Sequence, residues 1–188
     1  MKATDETAMP APTYPALPAE VFVSLYEYSM ANLVLPDDAV RVSLGLDPKE
    51  PFLVTLSDAA GRDGIDRFLG ILSALHKKRK RKFEEVAPSI RGHTRIYFGR
   101  TSAEIYATGS SNTPKKIPGA DWYVSSNNSG SQKAEITRNL MNAMGFSWDY
   151  AFMVGSLCHS KTPILPYKYQ RAYNTLKAEL TKMSAITQ

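Results

Sequence analysis

The chain has 188 residues and a mass of 20.8 kDa, which suits one ordinary domain, or a small domain joined to a larger one, and excludes several catalytic domains. With 43% hydrophobic and 22% charged residues the composition is globular, and charged residues or prolines interrupt every apolar run before the roughly 18 residues that a membrane-spanning helix needs. The N-terminus has neither the basic start nor the apolar core of a secretory signal, so we expect a soluble, cytoplasmic protein.

The net charge of +5 is unevenly distributed. Residues 1–60 carry three basic and nine acidic side chains, a net charge of −6, which leaves +11 for residues 61–188. A basic body behind an acidic head is typical of a polyanion-binding domain joined to a module with another task, because Lys and Arg release counterions from phosphates. A solvated basic surface with no partner would have the same composition, so charge alone leaves both interpretations open.

The first 58 residues divide into three segments. Residues 1–19 are rich in Pro and Ala and predict a disordered or extended arm. Residues 20–46 predict a short strand and two short helices, a unit too small to bury a core alone and therefore expected to fold as a dimer. Residues 47–58 contain Pro48 and Pro51 and predict a linker that ends in a helix N-cap at Asp58.

A helical apolar stripe opens the second module. Five apolar residues recur at helical spacing and predict a core-facing helix: Ile65, Phe68, Leu69, Leu72 and Leu75. The six consecutive basic residues Lys77–Lys82 follow, either as a solvated helix face or inter-helix turn, or as a nonspecific phosphate contact. Apolar spacing then resumes, and Pro88 is expected to end a second helix.

The rest of this module alternates β-rich and helical patterns. The runs Thr94–Tyr97 and Trp122–Val124 predict two antiparallel strands, in a hairpin or a small sheet packed on helices. A polar loop at 125–131 follows the second run, and a helix is expected from Lys133 with Gly145 at its C-cap. Residues 159–188 are a C-terminal tail to which the sequence assigns no role.

Side chains that could carry catalysis are sparse. The three histidines, His76, His93 and His159, lie far apart and have no metal-ligand spacing. Cys158 and His159 are adjacent, which in a helix points their side chains about 100° apart, the wrong geometry for a nucleophile and its base. We therefore expect no catalytic residue, no metal and no cofactor. The single Cys158 cannot form an internal disulfide and is expected to pack as a small hydrophobe.

The richest group of polar side chains is the segment from Ser125 to Lys133, with two Asn, one Gln and four Ser. Such side chains read base edges when a fixed scaffold presents them to a groove. An ordinary flexible turn has the same composition. Because the segment leads directly into a predicted helix, its backbone N–H groups and short side chains could meet a phosphate and a groove together, which favours a nucleic-acid contact.

Several motifs together resemble the DNA-binding domain of the SeqA family. They keep their order and nearly their spacing over about residues 65 to 157, roughly half the chain: Arg67-Phe68 with Leu72-Ser73 and Leu75, then Gly92–Phe98, Asn112–Gly119, Trp122–Val124, and the Ser/Asn loop with Lys133. A weaker similarity covers Glu20–Tyr28, which is similar to the start of the family's oligomerisation module, a strand and two helices that dimerises and then builds filaments.

The resemblance implies a function and a set of contacts. Proteins of this family are negative modulators of replication initiation that bind GATC sites carrying N6-methyladenine on one strand and sequester the origin. Carried over by position, the implied DNA-binding residues are Gly64, Ile65, His93, Thr94, Arg95, Ile96, Tyr97, Lys115, Lys116, Ser126, Asn127, Asn128, Ser129, Gly130, Ser131, Gln132 and Lys133. This chain has His93 and Gln132 where the family usually has Arg, and Ser129 where it usually has a second Asn.

These observations combine into one prediction of architecture. We expect an α+β protein with a disordered arm at 1–19, an oligomerisation module at 20–46, a linker at 47–58, a mostly helical DNA-binding domain with a short antiparallel sheet at 59–158, and a tail at 159–188. The expected partners are double-stranded, hemimethylated GATC DNA and further copies of the chain, as homodimer and higher oligomers, with no membrane and a nucleoid-associated location.

Two alternatives stay open. One is a transcriptional regulator that uses the same scaffold without methylation-state selectivity. The other is a phosphodiester-cleaving enzyme, which would need clustered acidic metal ligands. The basic domain offers only scattered acidic residues such as Glu104, Asp121 and Glu135, so a non-enzymatic function is favoured.

Overall fold

A computed structural model describes residues 53–54, 58–109, 111–161 and 164. The predicted arm, the oligomerisation module and most of the predicted linker and tail lie outside these residues. The described elements are the helices α1 (Gly64–Lys78), α2 (Lys80–Val86), α3 (Ser102–Tyr106), α4 (Gly130–Ala143) and α5 (Trp148–Ser156), a 3₁₀ turn at Ala87–Ser89, and the strands β1 (Phe98–Gly99), β2 (Pro114–Lys116) and β3 (Tyr123–Ser125).

Helix α1 confirms the predicted apolar stripe. Phe68, Leu72 and Leu75 are fully buried, in agreement with the helical spacing. The N-cap is Asp63, whose carboxylate accepts hydrogen bonds from the backbone N–H groups of residues 65 and 66 at 2.8 and 2.9 Å. The predicted N-cap at Asp58 is wrong: this carboxylate lies 3.2 Å from Lys78 Nζ instead, at the opposite end of the helix.

The basic run Lys77–Lys82 spans a break between two helices. Helix α1 ends at Lys78 and α2 begins at Lys80, while Arg79 between them has non-helical dihedral angles (φ −138°, ψ 49°). Helix α2 ends at Val86 and passes into the 3₁₀ turn that contains Pro88. The predicted end of the second helix at this proline is therefore confirmed.

The sheet is antiparallel, as predicted, but has three strands in the order β1-β3-β2. The predicted strand, Thr94–Tyr97 followed by Phe98, lies too early in the chain, because pairing with β3 begins at Phe98 and continues to Gly99. The preceding residues close a tight turn, in which the Gly92 N–H donates to the Arg95 carbonyl at 2.9 Å and Arg91 pairs with Ile96 in an isolated bridge. Backbone groups used within this turn are not available to a neighbouring strand.

Two elements lie within the connection between the predicted strands. They are helix α3, capped by the Thr101 side chain, and strand β2, which begins at Pro114 and lies at an edge of the sheet. A proline is tolerated at this place because an edge strand leaves one side of its backbone unpaired. The two predicted strands are consequently neighbours in the sheet without forming a hairpin.

Helix α4 begins at Gly130, three residues before the predicted start at Lys133. Ser129 and Gln132 form a capping box, in which each side chain accepts from the other residue's backbone N–H at 3.2 and 3.0 Å, so the polar loop residues themselves start the helix. The predicted stop is confirmed: Gly145 has φ +88°, and the Phe146 N–H donates to the Met141 carbonyl at 3.0 Å.

A single apolar cluster joins the helices to the sheet. Phe83 of α2 lies at its centre, with its ring 5.3 to 6.1 Å from the rings of His76, Phe98 and Trp122. Val54, inside the segment predicted to be a linker, is also fully buried, and its N–H donates to the Tyr150 hydroxyl at 2.8 Å. The packed unit therefore includes residues on the N-terminal side of residue 59.

Candidate nucleic-acid interface

Strand β3 brings two of the predicted DNA-binding segments together at one end of the sheet. The Ser125 N–H donates to the Tyr97 carbonyl at 2.8 Å, and the Ser126 N–H donates to the Thr113 carbonyl at 2.9 Å. The turn before β1 and the loop after β3 therefore lie side by side at one end of the sheet. The segment before β2 lies on the other side of that loop. His93 and Thr94 of the turn are exposed, and Arg95, Ile96 and Tyr97 are half-buried.

The loop after β3 alternates between inward and outward side chains. Ser126 and Asn128 are buried, and they donate to the backbone carbonyls of Thr113 (2.6 Å) and Ser125 (2.7 Å). Asn127 between them is exposed, with its Nδ2 donating to the Ser111 carbonyl at 2.9 Å. The loop therefore presents one asparagine outward and holds the other inside.

The starts of helices α1 and α4 meet beside the end of α5. A Cβ atom on Gly64 would lie 2.6 Å from the Cys158 carbonyl oxygen, and one on Gly130 would lie 2.8 Å from His159 Cβ. Both distances are shorter than real Cβ contacts, so glycine permits these close approaches. The predicted residues Gly64 and Ile65 are thereby placed beside the predicted residues Ser129–Lys133.

The charged side chains at these helix starts are buried or bonded to other parts of the domain. Lys133 is 7% exposed, and Arg67 Nε donates to the Leu157 carbonyl at 2.8 Å. The pKa of Asp63 lies below its ordinary value, chiefly because its carboxylate accepts from the backbone N–H groups of Asp66 and Ile65, with smaller contributions from Lys133 and Arg67. The carboxylate is thus the ionised cap of α1 beside a buried lysine.

Lys115 and Lys116 lie apart from the loop. They belong to edge strand β2, where Lys116 pairs with Tyr123, the β3 residue farthest from the loop. Lys116 Nζ also lies 3.7 Å from the carboxylate of Asp121, in the turn at the other end of the sheet. Both lysines are exposed.

The segment 111–113 supports the outward asparagine, although the sequence assigned it no role. Ser111 and Thr113 supply the carbonyl oxygens that hold Asn127 and Ser126. Asn112 between them is buried, and its Nδ2 donates to the Ile105 carbonyl at 3.1 Å. The one available signal was the motif beginning Asn112-Thr113-Pro114, which belongs to the family resemblance.

Cys158 packs in the interior, as predicted. Its Sγ lies 3.5 Å from Thr137 Oγ1, and burial raises the pKa of the thiol to about 11, so the thiol stays protonated at neutral pH. Within the part of the chain that the structure describes, no group of three or more His, Cys, Asp or Glu side chains could hold a metal ion. Within the same part, no helix is both long and apolar enough to cross a membrane.

A small helix-flanked sheet that carries an exposed, rigidly held asparagine defines a candidate nucleic-acid-binding domain of the mixed helix-and-sheet class. The family model described as SeqA protein C-terminal domain matches residues 54–156. The chain therefore belongs to the SeqA family, which confirms the resemblance seen in the motifs.

Curated relatives share the name "Negative modulator of initiation of replication". The protein of Aliivibrio fischeri is 36% identical over 135 residues, covering 70% of this chain and 74% of its own length. That of Vibrio atlanticus is 34% identical over 102 residues, covering 54% of this chain and 56% of its own length. In several of these matches the chain spans only about half the length of the relative. A crystal structure of V. cholerae SeqA is 32% identical and covers 54% of this chain and 86% of that one, with a TM-score of 0.48.

Proposed function

We propose that this protein is a DNA-binding negative regulator of replication initiation that recognises GATC sites methylated on one strand. The observation that carries the proposal is the geometry of Asn127, an exposed amide held on a rigid loop in a chain of the SeqA family. The relatives are named for negative modulation of replication initiation, which supports the regulatory part. The proposed function is binding without catalysis.

The chemistry of the methylated base suits such a loop. An N6-methyl group is apolar, lies in the major groove and leaves one N6–H to donate, while an asparagine side chain can pair with the N6 and N7 edge of adenine. Ser126 and Asn128 fix the backbone on both sides of Asn127 through bonds of 2.6 and 2.7 Å. A loop fixed in this way can accept one methyl group by contact and reject a second by collision.

Exposure separates eight of the implied DNA-binding residues into two proposed roles. His93, Thr94, Asn127 and Ser131 are exposed and are proposed to touch DNA directly. The buried side chains of Ser126, Asn128 and Lys133 are proposed to position the loop and the start of α4. The exposed Gln132 also caps that helix, with Oε1 accepting from the Ser129 N–H at 3.0 Å.

The regulatory proposal includes self-association. Two DNA-binding domains joined through residues 20–46 would engage two neighbouring GATC sites, because the second contact becomes intramolecular. This part is supported by the resemblance of Glu20–Tyr28 to the family's oligomerisation module.

A methylation-state binding assay tests the proposal. Affinities are measured for the full chain on duplexes of one sequence whose GATC site is unmethylated, hemimethylated or fully methylated, with a scrambled site as control. We expect the hemimethylated duplex to bind about tenfold more tightly than the others, equivalent to about 1.4 kcal/mol. Equal affinity for the unmethylated and hemimethylated sites would contradict the proposal and favour the transcriptional regulator without methylation selectivity.

A further inference from the structure

The basic run Lys77–Lys82 lies at the other end of α1 from the candidate interface. We call residues 126–129, between β3 and α4, the reading loop. Helix α1 has 15 residues, from Gly64 near the end of this loop to Lys78 at the break before α2. At 1.5 Å per residue the two ends are about 21 Å apart. The basic run is therefore separated by the length of α1 from Gly64 and the implied DNA-binding residues beside it, and none of the implied residues belongs to the run.

Three of the six basic side chains are engaged with the fold. Lys78 Nζ contacts the Leu53 carbonyl and the carboxylate of Asp58, and Lys82 Nζ lies 2.9 Å from a carboxylate oxygen of Glu85. The Arg79 guanidinium lies 4.4 Å above the centre of the Phe146 ring. The side chains of Lys78, Arg79 and Lys82 therefore make contacts within the protein.

The other three, Lys77, Lys80 and Arg81, are exposed, and none forms an ion pair with a described residue. The nearby carboxylate of Glu84 is shared between Arg100 at 3.5 Å and His76 at 3.6 Å. Although burial opposes ionisation of Glu84, Arg100, His76 and Lys80 outweigh it and lower its pKa. We call the three exposed cations the distal basic surface.

The helix dipole favours only one of these three cations. Lys77 lies in the last turn of α1, where the helix dipole favours a positive charge. Lys80 and Arg81 lie in the first turn of α2, which contains no acidic residue and where a positive charge is disfavoured. The helix dipole therefore does not explain the exposed cations Lys80 and Arg81, and their position suits a partner of negative charge.

We propose that the distal basic surface binds duplex DNA through its phosphates, without reading sequence, at a position outside the GATC site. Lys and Arg side chains on a helix break that form no ion pair with a described residue suit a line of phosphates, and each phosphate contact releases counterions. A domain held by its reading loop would bring this surface to a further DNA segment about one helix length away. The inference does not depend on methylation selectivity, because phosphates carry no sequence information.

Two double variants of the full chain with the same loss of charge test the inference. Lys77→Gln with Arg81→Gln removes two cations of the distal basic surface, whereas Lys78→Gln with Lys82→Gln removes two paired cations of the same run. Affinity is measured against salt concentration on a random duplex and on the hemimethylated GATC duplex. Thermal unfolding of both variants checks that the fold is kept.

We expect the Lys77/Arg81 variant to reduce the log–log salt slope by about 1.8, close to 0.9 per lost phosphate contact, and by the same amount on both duplexes. The Lys78/Lys82 variant should reduce the salt slope by much less.

Equal reductions in the two variants would overturn the assignment to Lys77, Lys80 and Arg81. Unchanged or tighter binding by the Lys77/Arg81 variant would also overturn it, and would indicate that the acidic residues 1–60 cover this surface. Methylation-independent binding that is lost in the Lys77/Arg81 variant would overturn the proposed function and keep this inference.

Discussion

Asn127 and Asn128 are chemically identical neighbours with different surroundings. The side chain of Asn127 is exposed, whereas Asn128 is 9% exposed and its Nδ2 donates to the Ser125 carbonyl at 2.7 Å. A buried amide cannot reach a base edge without leaving the loop, and leaving it would strand polar groups in the interior. The difference supports the proposed recognition role of Asn127 and the proposed positioning role of Asn128.

Replacing Asn127 with Ala tests the recognition role. Loss of a base-edge contact should weaken binding to the hemimethylated GATC duplex by about 1–3 kcal/mol and change binding to a random duplex little. Affinity measurements on both duplexes check the result, with Asn139→Ala as control because Asn139 is an exposed asparagine in α4, the helix that follows the loop. An equal loss on both duplexes would reduce Asn127 to a phosphate contact.

Burial is the property of these residues that sequence reasoning could not provide. The loop was recognised as a candidate site from its Asn and Ser content, and the resemblance named its residues. Whether a given Ser or Asn points outward depends on the carbonyls of Thr113, Ser125 and Ser111, two of which come from a segment more than ten residues away along the chain. Polar composition alone contains no such information.

At the scale of elements, the loop and α4 are joined by the capping box. Ser129 Oγ accepts from the Gln132 N–H at 3.2 Å, so the residue that ends the loop also starts the helix. Replacing Ser129 with Ala should lower the free energy of unfolding by about 1 kcal/mol, because a backbone donor at the helix start loses its partner. It should also weaken DNA binding, because the exit of the loop is no longer fixed.

Ser131→Ala is the matched control for stability, since Ser131 is an exposed serine in the first turn of the same helix. Chemical denaturation measures the free energy of unfolding of both variants, and the affinity of Ser129→Ala for the hemimethylated duplex is compared with that of the unchanged protein. If the two variants lose the same stability, the capping box does not stabilise the start of α4.

The elements also show what periodicity can and cannot predict. Helix α1 was predicted because its apolar residues repeat at helical spacing, and Phe68, Leu72 and Leu75 among them lie in the core. Strand β1 was misplaced because the β-rich residues Thr94–Tyr97 form a turn closed by Gly92 and Arg95, a tertiary choice that overrides local propensity. Strand β3 confirms the β-rich run Trp122–Val124 with a shift of one residue, whereas strand β2, which was not predicted, has only three residues, too few for an alternating pattern to emerge.

For the whole molecule, the described domain joins two exposed surfaces through one rigid helix. The reading loop lies at the start of α1 and the distal basic surface at its end, while the N-terminal side of the chain enters beside Lys78. The described residues Leu53 and Asp58 therefore lie near the basic end of the domain. We propose that the acidic residues before them tether domains together without contacting the recognition site.

Two truncated chains separate the domain from this head. One begins at Leu53 and keeps Val54, whose side chain is fully buried and whose N–H donates to the Tyr150 hydroxyl at 2.8 Å; the other begins at Ala59 and lacks both. The shorter chain should lose about 2–3 kcal/mol of unfolding free energy, the cost of removing one buried valine and its hydrogen bond.

Both chains should bind a single GATC site and lose the advantage that the full chain has on a two-site duplex. Urea unfolding and affinities on one-site and two-site duplexes measure these effects, with solution mass reporting association. Equal stability of the two truncations would contradict a structural role for Val54, and a retained two-site advantage would move self-association from the head to the region after Leu157.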